Sequence, residues 1–511
     1  MKIFKGQEEL ELTEGGILKP LVYLSLPIVI TNLLQTAYNL ADTFWLGRYS
    51  TEALAAISFG FPMVFLLISL GMGLSVAGSV LVAQHTGAGE TDQAQYAASQ
   101  TVTFALGGSL LLGLVSYPLI EGFLAFLGAS PEVLPGATAY MEVIALGLPF
   151  MFGFFVFISL MRGAGDTITP MVVMFGTVVV NVILDPFLIF GFEANPLFEM
   201  LGLVGLQTEL FAATEFTGMG IEGAAIATIF SRSLAMVVGL GIMLSGSRGI
   251  QINLVDMTPD FDYLKKILAI GVPASIEGTG RALSINALLI VVGLFSTSVV
   301  AAFGIGTRVL SVIFLPAIAV ARGVETMSGQ NIGAGNYDRA EAANYLAAKG
   351  LFAVLGVMGI VIFLVPEPIV GVFTNDPAVI EEGSTLLRYV SLSFGFTGVM
   401  RAFSGGFRGA GKTLVAAGIA LLTLGGIRLP VAYVASQYRL PIPYADLIYG
   451  VEGIWTAFFV SNVAGALIAW FWFRRGTWRE GDVRGPPEEI DRSTEPAETD
   501  AETLETSADD D

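Results

Sequence analysis

Two aspartates set in apolar surroundings, Asp42 and Asp185, carry the most chemistry in this chain of 511 residues. An ionised Asp at the centre of a membrane helix costs roughly 2.5–3.5 kcal/mol on insertion scales, so an acid kept there is a candidate for handling a cation or a proton. Asn32, Gln35, Asn39 and Asp42 follow one another at i, i+3, i+7 and i+10. At about 100° per residue they form one polar stripe about 80° wide on a helix. Thr177, Asn181 and Asp185 recur every four residues, again on a single helical face. Thr228, within GAAIATIFSR, adds a hydroxyl on a third apolar run. Two carboxylates with neighbouring amide and hydroxyl oxygens can bind one Na⁺ or hold one or two protons.

Other charges in apolar runs have simpler readings. Glu277 and Arg281 stand at i, i+4 and can neutralise each other, as a structural pair or as a second coupling site. Arg322 with Glu325, and Arg401, pair or snorkel. Arg428 has no partner nearby in sequence and is a candidate for lining a cleft. Phe59, Phe61, Phe65, Met171 and Met174 offer a soft surface to apolar cations. GFRGAGKT (406–413) satisfies the phosphate-loop pattern G-x-x-x-x-G-K-[ST]. That chemistry needs a strand before the loop and a soluble domain around it, whereas both flanks here are apolar. The stretch reads instead as a tight glycine turn between helices, its arginine anchoring the cytoplasmic interface.

The elements that must position these residues are membrane helices. Hydrophobic residues make up 54% of the chain and charged ones 14%, with a mean hydropathy of +0.72, which excludes an ordinary soluble enzyme. Apolar windows predict an all-α polytopic membrane protein with twelve transmembrane helices near 20–46, 54–84, 98–120, 136–161, 170–192, 220–246, 263–295, 299–328, 343–365, 382–404, 413–436 and 451–473. Without cysteine and with His85 as the sole histidine, thiol catalysis is excluded and a histidine metal site nearly so. Lys2, Lys5, Lys19, Arg162, Arg248, Lys265, Lys266, Arg339, Lys349, Arg408, Lys412, Arg474, Arg475, Arg479, Arg484 and Arg492 fall on one side, and Arg48 and Arg439 on the other. The positive-inside bias therefore places both termini in the cytoplasm of a cell-membrane protein. From Glu480 to Asp511 thirteen acids face two arginines, a composition that cannot bury a core. No segment is basic enough for nucleic acid, and the expected surroundings are a lipid bilayer, with the protein a monomer.

The chain is also a repeat. At a constant offset of 246 residues Pro27 pairs with Pro273, Gly60 with Gly306 and Pro131 with Pro377. The same offset lays AQHTGAGETDQA (83–94) on GQNIGAGNYDRA (329–340) and RGAGDT (162–167) on RGAGKT (408–413). GIEG (220–223) matches GVEG (450–453) at an offset of 230, so the first half holds about 16 extra residues near Glu193–Glu215. Six spans per repeat make the halves parallel, as in many secondary transporters. The division is an N-lobe over 1–250 (helices 1–6), a C-lobe over 251–473 (helices 7–12) and an acidic, disordered cytoplasmic tail over 474–511, with a cleft between the lobes. The framework is duplicated but the carboxylates are not: Asp42 falls on Leu288, Asp185 on Val431 and Thr228 on Phe458.

Two parallel sixes, the paired loop motifs, Pro27 ahead of Asp42, and NVILDP (181–186) resemble the multidrug and toxic compound extrusion (MATE) family, and most of all its DinF-like bacterial and archaeal branch. The resemblance covers residues 15–473. It implies an antiporter, not an enzyme, that exports organic cations and amphiphilic drugs in exchange for Na⁺ or H⁺ and needs no other cofactor. It implies a cation site at Asp42, Asn181, Asp185 and Thr228, supported by Gln35 and Tyr140; Asn39 and Thr177 lie on the same polar stripes, and Pro27, lacking an N–H, offers a bend in the first helix. A NorM-like branch relies on C-lobe acids, for which Glu277 beside Arg281 is the counterpart here. A lipid-linked oligosaccharide flippase of the same superfamily is the alternative, and would need a basic cleft built from Arg281, Arg308 and Arg428.

Overall fold

The computed structural model describes residues 11–439 and 448–485, except the side chains of Phe61 and Leu70. Its first half runs α1 (Leu18–Tyr49), α2 (Thr51–Gly87), α3 (Thr91–Ser116), α4 (Ile120–Phe126), α5 (Leu134–Leu146), α6 (Leu148–Gly163), α7 (Ile168–Phe190), α8 (Pro196–Leu201), α9 (Val204–Thr214) and α10 (Gly220–Leu244). The second half repeats this order. α11 (Phe261–Val292) answers α1, and α12 (Thr297–Ile313) with α13 (Leu315–Gly333) answers α2. α14 (Tyr337–Leu364), α15 (Pro366–Gly371), α16 (Pro377–Ser391) and α17 (Phe394–Gly409) answer α3 to α6. α18 (Thr413–Leu421), a π-helical turn at Leu422–Arg428 and α19 (Leu429–Gln437) answer α7, and α20 (Val451–Arg474) answers α10. The extra residues of the first half are α8 and α9, tied back where Asn195 donates to the carbonyls of Pro186 and Gly191, both at 2.8 Å.

Among the described residues, nine helices are long and apolar enough to cross a membrane, or up to eleven if two bent pairs each count as one span. The bent pairs are α5–α6, at 54°, and α12–α13, at 43°. Each second member opens with a proline, Pro149 or Pro316, where a missing N–H is tolerated in a first turn. The segment expected near 382–404 is instead the two shorter helices α16 and α17, and the first carries Glu381, Glu382 and Arg388.

The lobes interlock. Leu21 and Leu24 of α1 belong to the apolar core formed by the second half, while Ile267 and Ile270 of α11 belong to a core formed by the first. At the end carrying the described termini, the last turns of α2 and α13 cross. A Cβ on Gly87 would stand 1.9 Å from the Gln330 carbonyl oxygen, and one on Gly333 would stand 1.9 Å from that of Gln84. Only glycine permits this approach, which is the physical reason for the repeated GAG motif. Beyond α20, Trp478 stacks on Phe473 and the Val483 N–H donates to Gln84 at 2.9 Å, so the packed chain runs to Gly485. The remainder of the acidic tail lies outside the described residues.

Candidate functional site

The two polar stripes of the first half meet. Asp42 on α1, Asn181 and Asp185 on α7 and Thr228 on α10 are all buried, Asn181 and Asp185 completely. Asn181 Nδ2 donates to Asp185 Oδ1 at 3.0 Å, one turn along the same helix. The Thr228 hydroxyl donates to Asp42 Oδ2 at 3.5 Å across two helices. Among the described residues, Asp42 Oδ1, Asp185 Oδ2 and Asn181 Oδ1 are buried and receive no hydrogen bond. A buried acceptor left unpaired costs about 1–3 kcal/mol, so this donor-poor cluster fits a small cation or a proton. The oxygens present are the hard ligands that Na⁺ takes.

The supporting residues fall into two groups. Gln35 and Tyr140 line the cavity beside the cluster, and so does Asn39, whose Oδ1 accepts from Gln35 Nε2 at 3.0 Å. Thr177 is buried on the α7 stripe with its hydroxyl turned back to the Val173 carbonyl at 2.9 Å, so it completes the face without reaching the cluster. Pro27 lies buried within α1 and has no N–H to return to the preceding turn; its own carbonyl accepts from the Thr31 hydroxyl at 2.9 Å.

Arg232 is the residue that sequence reasoning passed over. It follows Thr228 by one turn of α10, is buried, donates to Gln35 Oε1 at 2.9 Å, and lies over the Tyr38 ring at 4.6 Å. The signal was present, since a charge in the middle of an apolar run and on the face of Thr228 meets the same test that singled out Asp42.

In front of the cluster opens a cavity of about 810 Å³. Its lining comes from the first half except for Ile318 and Arg322 of α13. Asp42, Asn32, Gln35 and Thr228 make one polar wall, and Phe65, Met72, Met151, Phe155 and Met174 make an apolar one. Of the soft residues expected, Phe65 and Met174 line it; Phe59 and Met171 do not, and the side chain of Phe61 is outside the described residues. Asp185 and Asn181 sit behind Asp42, so the cluster has an open side and a closed side.

The sequence profile of the MatE family matches residues 27–187 and 273–434, one match per repeat. The chain belongs to the MATE family. It is 28% identical over 477 residues to a probable multidrug resistance protein NorM of Thermotoga maritima, covering 91% of this chain and 94% of that protein. It is also 28% identical to an FAD transporter of Shewanella oneidensis (91% and 96% covered) and 25% identical to the multidrug export protein MepA of Staphylococcus aureus (89% and 93%). Crystal structures of MATE in the bent and in the straight conformation each superpose with a TM-score of 0.80 at 24% identity. They cover 93% of this chain and 99% and 100% of theirs. The fold is the two-lobe MATE fold.

The second MATE repeat holds its charges differently. Glu277 is bonded by Arg281 at 3.3 Å, as its spacing suggests, and more tightly by Arg408, whose Nη1 reaches Oε1 at 3.0 Å and Oε2 at 3.1 Å. Arg408 Nε also donates to Glu325 Oε2 at 2.9 Å, and Arg322 Nη1 donates to the same oxygen at 2.9 Å. Arg162 and Arg408 are therefore buried rather than anchored at a membrane surface as expected, and Glu277 is committed to ion pairs across α11, α13 and α17. Arg428 does not line the cavity. Its π-helical turn aims it at α20, where it donates to Ser461 Oγ at 2.9 Å and Asn462 Oδ1 at 2.7 Å and lies over Phe458 at 4.3 Å. Phe458 is the repeat counterpart of Thr228, so a fixed guanidinium stands beside the place where the first repeat has its buried carboxylates. The GFRGAGKT stretch joins α17 to α18 through Gly411 at φ +69°, and a helix occupies the position where a phosphate loop requires a strand.

Proposed function

We propose that this protein is a cation-coupled antiporter of the cell membrane that exports organic cations and amphiphilic drugs, with Na⁺ or H⁺ entering at Asp42, Asp185, Asn181 and Thr228. The observation that carries the proposal is the set of buried, unpartnered oxygens on Asp42, Asp185 and Asn181, set behind a cavity with one apolar wall. Arginine keeps its charge in proteins. With both carboxylates ionised, the cluster and Arg232 together carry one net negative charge, which a single Na⁺, proton or monocationic drug neutralises. Coupling ion and drug therefore compete for one charge vacancy, as exchange requires.

The lobes would alternate around this cavity. Pro27 supplies a bending point in α1 one helical stretch before Asp42, so filling or emptying the cluster can reshape that wall. The names of the multidrug relatives support the substrate class. Efflux of ethidium from proteoliposomes under an imposed pH or Na⁺ gradient tests the proposal. Efflux that follows one of the gradients supports it, while efflux indifferent to both would remove the coupling.

A further inference from the structure

The MATE repeat provides an internal comparison at its RGAG arginines. In the second repeat Arg408 is neutralised by Glu277 and Glu325. At the constant offset of 246 residues, the positions matching these glutamates in the first repeat are Thr31 and Ser79, both uncharged. The equivalence is structural as well. A Cβ on Gly409 would stand 2.2 Å from the Glu325 carbonyl oxygen, and one on Gly163 would stand 2.5 Å from that of Ser79. Arg162 thus occupies the place of Arg408 without an ion pair to a carboxylate among the described residues, Glu325 of the opposite lobe acting on its charge only at longer range. Arg162 is 8% exposed; among the described residues its Nε has no partner, and its guanidinium donates to Ser159 Oγ at 3.2 Å.

Arg162 lines the cavity, and so does Arg322. Arg162 stands at the end nearest the helix crossing, because the adjoining Gly163 carbonyl receives Gln330 Nε2 at 3.0 Å, and Arg322 faces it from α13 closely enough to act on its charge. The glutamates near them are already shared: Glu325 serves Arg322 and Arg408, and Glu277 serves Arg408 and Arg281. A buried guanidinium with unfilled donors in a low-dielectric site is stabilised by an anion, and phosphate matches its fork of N–H groups. We infer that Arg162 and Arg322 form an anion subsite at the floor of the cavity, which takes the phosphate group of an amphiphile whose apolar body lies along the aromatic and methionine wall. The inference rests on the export reading and deepens it: the cavity has a carboxylate wall and a guanidinium floor, so its substrates include phosphorylated amphiphiles.

Riboflavin and its 5′-phosphate, FMN, share one fluorescent ring system and differ by a phosphate, so their binding to the full-length protein in phosphatidylcholine nanodiscs isolates the subsite. The expected result is FMN binding about tenfold tighter than riboflavin, the order of one charge-assisted interaction. Arg162→Gln should remove the preference and Arg162→Lys should keep most of it. Ser79→Glu, which installs the carboxylate that the second repeat has, should lower FMN affinity to that of riboflavin. A merely structural Arg162 would weaken both flavins alike in Arg162→Gln and would gain nothing from lysine. Repeating the titration in phosphatidylglycerol nanodiscs distinguishes the sources of the phosphate. Suppression of the preference names a lipid headgroup as the occupant and persistence names a soluble phosphate, and each supports the subsite. Equal binding of the two flavins by the wild type, including binding of neither, overturns it. Coupled ethidium efflux by the same wild-type preparation reports on the export reading alone, so the two failures are separable.

Discussion

Gln84 donates its side-chain amide to the carbonyl oxygen of Gly409 in the opposite lobe at 3.0 Å, and Gln330 returns the same bond to Gly163 at 3.0 Å. The two bonds are reciprocal under the repeat, and each uses the carbonyl just before the turn of an RGAG motif. They hold the terminal ends of the lobes together while the cavity stands among α1, α2, α5, α6, α7 and α10, with α13 closing one side. On the proposed alternation of the lobes, opening toward that side breaks both. Each contributes about 0.5–1.5 kcal/mol, so Gln330→Ala should raise the population open at that side by about two- to tenfold, and Gln84→Ala, which also loses bonds to Gly481 and Val483, by at least as much. The chain has no cysteine, so a single cysteine at Ile318 on the cavity wall can be labelled with a maleimide from either side to read this. Unchanged labelling in both variants would show that other contacts close this end.

Asp42→Asn and Asp185→Asn should each reduce gradient-driven ethidium efflux to the liposome background while leaving insertion and monodispersity near wild type. Asn is close to isosteric with Asp and keeps one acceptor, so packing is preserved and the ionisable group is lost. Export at the wild-type rate by either inserted variant would sink the assignment of the cluster.

Arg232→Gln removes one positive charge beside two carboxylates and raises the net negative charge of the site from one to two. Monovalent cations should then bind at least about tenfold tighter, with a second cation or proton taken up per protein. Calorimetric titration with Na⁺ at fixed pH, with proton release read from buffers of different ionisation enthalpy, gives both quantities. Weaker Na⁺ binding would mean that Arg232 acts by holding Gln35 and Tyr38 rather than through its charge.

Much of this was legible in the sequence, for physical reasons that differ by residue. Burying a charge in a membrane is costly enough that Asp42 and Asp185 stood out one at a time, and helical periodicity brought their amide neighbours with them. The repeat exposed the framework because backbone approaches such as Gly87 on Gln330 tolerate no side chain. Arg232 was passed over beside a residue already chosen. Arg428 was aimed at the cleft because a π-helical turn, which redirects it toward α20, leaves little trace in composition. The ion pairs of Arg408 span 83 and 131 residues, beyond any local spacing rule, so a cation that looked like a surface anchor proved to be buried.

Lys412→Ala should leave ion-driven transport near normal. Lys412 precedes α18 as its N-cap, and the first repeat has Asp166 at the equivalent position, capping α7 through bonds from the Ile168 and Thr169 N–H groups at 3.0 and 2.9 Å. The two residues stand in the same turn with opposite charges, so the turn does not require a lysine. Loss of transport in this variant, together with dependence on ATP in sealed vesicles, would restore the phosphate-loop reading.

Na⁺ and protons should compete at the cluster, and Asn181 should separate them. Na⁺ needs several oxygens at once, and the unpartnered oxygens of Asp42, Asp185 and Asn181 supply three. A proton needs one carboxylate oxygen and takes nothing from an amide carbonyl. Apparent Na⁺ affinity should therefore fall as pH drops from 8 to 5, roughly tenfold per pH unit wherever one proton displaces one Na⁺. Asn181→Ala should weaken Na⁺ binding by several-fold while proton-driven efflux persists, because the variant removes a metal ligand and no proton carrier. Its bond to Asp185 at 3.0 Å is lost as well, so the informative quantity is the ratio of the two effects. Na⁺ titrations across this pH range on the wild type, Asn181→Ala and both Asp→Asn variants measure that ratio. Sodium binding indifferent to pH and to all three substitutions would move the coupling ion away from the first repeat, and the ion pairs that hold Glu277 would then need testing by Arg408→Gln.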